Sequence, residues 1–116
     1  MTPKPQYYRS LVRLRAAAER EKADLFKGLP KECAAQVRGV AIRFDAEPTP
    51  AMLGRGVDSE AFSAIEQGKA GQEIVVFLLN LSKRYGAELG GFRRELRRTI
   101  LKELADVAGI EVELGD

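Results

Sequence analysis

Apolar and polar residues alternate with their clearest rhythm near the two ends of the chain. Over residues 6–25, Tyr8, Leu11, Val12, Leu14, Ala18 and Leu25 recur at mostly helical spacing, with Arg and Glu on the other side. That pattern predicts one long amphipathic helix with a buried stripe. Gly28, Leu29 and Pro30 end it, and Pro30 suits the first turn of a short second helix running through Cys33 toward Gln36. The period then changes. Val40, Ile42 and Phe44 alternate with Ala41 and Arg43, which predicts a strand with one wet face, at or near a sheet edge. Pro48, Pro50, Gly54 and Gly56 predict an irregular surface loop over 45–58 that carries Thr49 and Met52. Asp58 or Ser59 is placed to cap a short helix over 60–67, after which Gly68, Ala70 and Gly71 loosen the chain. Residues 74–79 are apolar on both faces and predict a strand covered from both sides. The polar stretch 82–89, with Gly86, reads as a connector anchored by Tyr85. Residues 92–108 are helical again, Gly109 supplies a left-handed stop, and Ile110, Val112 and Leu114 alternate with glutamates as a short terminal strand.

These elements imply an α+β fold, a small sheet packed against N-terminal and C-terminal helices. At 116 residues and 45% hydrophobic content the chain fits a single domain over 1–116. The formal charge of +2 is too small to drive the whole molecule onto a polyanion. Cys33 is the only cysteine, so no intrachain disulfide forms. Pro3, Pro5, Arg9, Arg13 and Arg15 interrupt the start of the chain, and the apolar run 74–81 is far shorter than the ~20 residues of a membrane span. The expectation is a cytoplasmic protein with no membrane partner.

Chemistry concentrates on the last helix. At about 100° per residue, Phe92, Leu96, Ile100, Leu104 and Val107 share one sector, while Glu95, Thr99, Lys102 and Asp106 share a polar flank with Glu103 between the two. The run Lys102-Glu103-Leu104-Ala105-Asp106, closed by Gly109, resembles the HExxHxxG signature of zincin-like metallopeptidases. In that signature two histidines one turn apart hold zinc and the glutamate activates the metal-bound water. The order of elements also resembles the minimal bacterial zincin-like metallopeptidase family: N-terminal helix, the Leu29-Pro30-Lys31-Glu32 turn, a strand into Asp45-Ala46-Glu47-Pro48, a breaker-rich loop, an apolar strand, then the motif helix.

By that resemblance the first zinc ligand falls on Lys102, the general base on Glu103, the second ligand on Asp106, the helix-ending glycine on Gly109, and an acidic third ligand on Val112, between Glu111 and Glu113. The chain has no histidine at all. An ammonium has no lone pair to offer a metal, and a valine has no donor. No zinc, no other cofactor and no catalytic residue are therefore expected, and Lys102, Glu103, Asp106, Gly109 and Val112 are a vestigial motif. Two readings of Lys102 stay open. Its ammonium replaces the metal's charge among Glu103, Asp106 and either Glu95 or a C-terminal carboxylate, or it forms an ordinary exposed pair with Asp106.

The resemblance implies a catalytically inactive homologue that binds a protein or peptide, with the strand over 37–44 as one edge for an extended segment. The competing reading of that edge is a strand that Arg38 and Arg43 protect from unwanted pairing. The alternative is an active hydrolase or metal-dependent enzyme with the acidic ligands Glu103, Asp106 and Glu111 in place of histidines. A weaker alternative is nucleic-acid association through Arg93, Arg94, Arg97, Arg98 and Lys102, with Lys83 and Arg84; Glu95 interrupts that run and no aromatic platform accompanies it. Ser10, Ser59, Ser63 and Ser82 lack a histidine partner, and Gly54 and Gly56 do not form a phosphate loop. Oligomeric state and the partner's identity are left open.

Overall fold

A helix with a buried stripe needs a layer to lie on, and the two long helices of this chain find it on one face of a small sheet. The computed structural model describes residues 5–69, 71–85 and 89–109. Within them the order is α1 (Pro5–Gly28), α2 (Lys31–Val37), β1 (Ala41–Asp45), α3 (Pro50–Gly54), β2 (Ser63–Gly68), β3 (Gly71–Phe77), α4 (Leu78–Tyr85) and α5 (Leu89–Ala108). The architecture is α+β, with five helices and a three-stranded sheet among the described residues. None of the described helices is long and apolar enough to cross a membrane.

The strands lie in the order β1-β3-β2, with β1 parallel to β3 and β2 antiparallel to it. β3 is central, so both of its faces need cover. Ile74 and Val76, continued by Leu78, turn toward Leu14, Ala18 and Leu25 of α1 and Phe92, Leu96, Ile100 and Leu104 of α5, forming the main core. Val75 and Phe77 turn the other way and bury against Met52 of α3, flanked by Val57, Ala61 and Ala64. The expected stripe on α5 packs, and on α1 Leu11, Leu14, Ala18 and Leu25 pack while Val12, expected among them, is 69% exposed; β1 lies at a sheet edge as its alternation implies.

Three expectations are corrected. Residues 60–67 do not form a helix; β2 takes most of this span. Ala61, Ala64, Glu66 and Gln67 favour a helix locally, but the apolar β3 would otherwise leave its backbone groups on that side without partners in a covered sheet. The pairing closes at Gly68 opposite Gly71. Gly71 has φ +123°, and a Cβ at Gly68 would stand 3.3 Å from the Gly71 carbonyl oxygen, so the turn calls for glycine. The loop over 45–58 contains α3, because Thr49 caps it through a hydrogen bond from the Met52 amide (3.2 Å) and Pro50 occupies its first turn. The described residues of the connector over 82–89 are helix: β3 ends at Phe77 and passes directly into α4, whose Leu78 and Leu81 are fully buried. Gly109, at φ +66°, ends α5 and donates to the Ala105 carbonyl at 3.0 Å, as a left-handed stop does. The terminal strand expected over 110–114, Val112 included, lies outside the described residues, as do the side chains of Tyr8 and Tyr85.

Candidate functional site

Residues 102–106 sit on the last turns of α5, where the helix crosses β2. Leu104, fully buried, fixes the rotation of that segment, so Glu103 stands half-buried at the margin of the core and Lys102 and Asp106 project into solvent. Ser63 opens β2 opposite Val76, on the face turned toward α5, and its Oγ donates to Glu103 Oε2 at 3.1 Å. The one motif carboxylate that turns inward is therefore held by a hydroxyl from the neighbouring strand.

Lys102 behaves otherwise than one of its two readings requires. Among the described residues it makes no ion pair with Glu95, Glu103 or Asp106. Lys102 is thus exposed rather than internal, and Asp106 is exposed with it, where water competes for both and pairing gains little; the C-terminal carboxylates lie outside the described residues. The donors do not fit zinc. An exposed ammonium, an exposed carboxylate and a carboxylate already engaged by Ser63 supply none of the converging nitrogen or sulfur donors that zinc takes. Among the described residues no group of three or more His, Cys, Asp or Glu side chains is placed to hold a metal ion. Glu111 lies outside the described residues.

Of the arginines of α5, Arg93 is half-buried, Arg97 leans to Glu21 of α1 at 3.9 Å, and Arg94 and Arg98, one turn apart, are exposed.

The strand beside the motif turn is β2, whereas the sequence points to 37–44. Strand order explains the difference, because β1 lies across β3 at the opposite edge. The two edges differ in character. On β1, Arg43 is tied to Glu73 (2.6 Å) and to Asp45 (3.3 Å), so its cross-strand face is closed by charge. On β2, Glu66 is likewise tied to Arg55, but Ser63, Ile65 and Gln67 on the other face are uncharged. Their backbone groups are also the free ones. The Phe77 amide donates to the Phe62 carbonyl at 2.8 Å, and antiparallel pairing alternates, so Ala64, Glu66 and Gly68 bond to β3 while the N–H and C=O of Ser63, Ile65 and Gln67 point outward. Among the described residues no strand pairs with that side.

Two functional candidates are not singled out by the sequence pattern, for different reasons. Ser63 carries no signal while its segment reads as helix. Asn80 does carry one, as a lone polar residue in the apolar run 74–81: it is 6% exposed and its Nδ2 donates to the carbonyls of Ser59 (2.9 Å) and Ala61 (2.8 Å), holding the segment that leads into β2.

The chain matches no protein-family model and no curated protein. The resemblance to zincins therefore rests on the spacing from Lys102 to Gly109 and on the order of the elements.

Proposed function

We propose that this chain is a zincin-like domain without zinc ligands that binds an extended protein segment along the outer edge of β2 and does not cleave it. The observation that carries the reading is the Ser63–Glu103 hydrogen bond, which sets the open edge of β2 beside the 102–106 turn of α5. A segment added there would gain main-chain hydrogen bonds from Ser63, Ile65 and Gln67, the usual source of affinity in strand addition. With Lys102 and Asp106 at the ligand positions in place of histidine, Glu103 would have no zinc-bound water to activate, so recognition is retained without hydrolysis.

The test is selection of a displayed random-peptide library on the purified protein, followed by amide hydrogen exchange with an enriched peptide bound. The expected result is added protection at Ser63, Ile65 and Gln67 and little change at Ala64 and Glu66, whose amides already bond to β3. Gln67→Pro, which removes an outward N–H at an exposed edge position where proline is tolerated, should weaken binding about tenfold, the loss of one or two main-chain hydrogen bonds. Enriched peptides that protect another surface, that ignore Gln67→Pro, or that emerge cleaved would each remove the proposal.

A further inference from the structure

Because β1 and β3 are parallel and β2 is antiparallel to β3, the ends of β1 and β3 and the start of β2 lie at one edge of the sheet. They leave a cleft of about 580 Å³ there. That volume lies in the range of small-molecule sites, and the carboxyl ends of parallel strands are where open sheets commonly take ligands. Its walls are held in place by hydrogen bonds. The Leu79 amide donates to the Ala46 carbonyl at 3.0 Å, securing the segment that carries Glu47, and Asn80 holds Ser59 and Ala61 on either side of Glu60. Phe62, bonded through its carbonyl to β3, adds an apolar wall.

Asn80 lines this cleft and is nine-tenths buried. Both bonds from its amide nitrogen are spent on the wall. Neither bond uses its Oδ1, which is left as an acceptor for whatever enters. The charges are balanced, two of each sign. Lys83 and Glu47 face each other at 4.0 Å, while Arg84 and Glu60 have no ionic partner among the described residues. A simple anion would meet two carboxylates here, and a simple cation two basic groups. A molecule with one charge of each sign meets neither obstacle.

We propose that this cleft binds a small zwitterion with a free ammonium and a free carboxylate, an amino acid or dipeptide. Its carboxylate lies on the Arg84 guanidinium, its ammonium on Glu60, and a donor N–H on Asn80 Oδ1. The site is separate from the β2 edge and does not depend on the reading of that edge.

The experiment is an amide-detected NMR titration of the whole chain with alanylalanine, and in a second arm with free alanine. Saturable shifts are expected at residues 59–62 and 80–84, with Kd no weaker than about 10 mM, a modest affinity suited to so small a ligand. The arm that binds more tightly gives the ligand's length. N-acetylation or C-amidation of the dipeptide should each weaken binding about fivefold or more, as should Arg84→Gln and Glu60→Gln, through loss of one charge-assisted contact. Both substituted side chains are exposed, so the fold is retained. Absence of saturable shifts in both arms overturns the proposal, as do blocked dipeptides or variants that bind like their parents.

Discussion

The two faces of β3 are buried equally and built differently. Toward α1 and α5, Ile74 and Val76 enter a continuous core furnished by two long helices. Toward α3, Val75 and Phe77 meet little more than Met52 and a few half-buried neighbours, and beyond them the face turns polar, with Arg43 tied to Glu73 and Arg55 to Glu66. A strand that is apolar on both sides thus does not require a helical layer on both. One capped turn and a loop suffice where the apolar patch is small.

Substitutions sharpen that contrast. The largest effect is expected at Phe92→Ala, which opens a void between rigid helices and should cost about 3–5 kcal/mol in chemical denaturation. Met52→Ala on the other face should cost nearer 2 kcal/mol, because the loop around α3 can settle into the space left behind. Equal losses would mean that the second face is as rigid as the first. The smallest is Thr49→Ala, which removes the cap on the Met52 amide and should lower stability by about 1 kcal/mol while leaving the main core and its hydrogen-exchange protection intact.

The same division marks what the amino-acid pattern discloses. α1, α5, β1 and β3 are visible because each carries a regular period over its own length, and the buried sector of α5 is the one that Phe92, Leu96, Ile100 and Leu104 define. β2 is not visible, since its strand character is imposed by a partner. Ser63, Ala64, Glu66 and Gln67 suit a helix as well as a strand, and only the Gly68 and Gly71 pair hints at a tight return. α3 was signalled by Thr49 before Pro50, a cap followed by a first-turn proline, although the surrounding breakers mask it. For the candidate site, the motif turn follows from spacing alone. Its contact with Ser63 does not, because two residues 40 positions apart meet only once β2 is recognised as a strand.

The strand order has a consequence for synthesis. β2 and β3 are neighbours in sequence and can zip together from their glycine-flanked turn. β1 is made first, yet pairs only with β3; Arg43 and its partner Glu73 are 30 positions apart. As the chain leaves the ribosome, Ile42 and Phe44 are exposed on an unmatched ribbon until β3 arrives. The brevity of β1 and the charge of Arg43 between them limit the chance that another nascent chain claims that ribbon first.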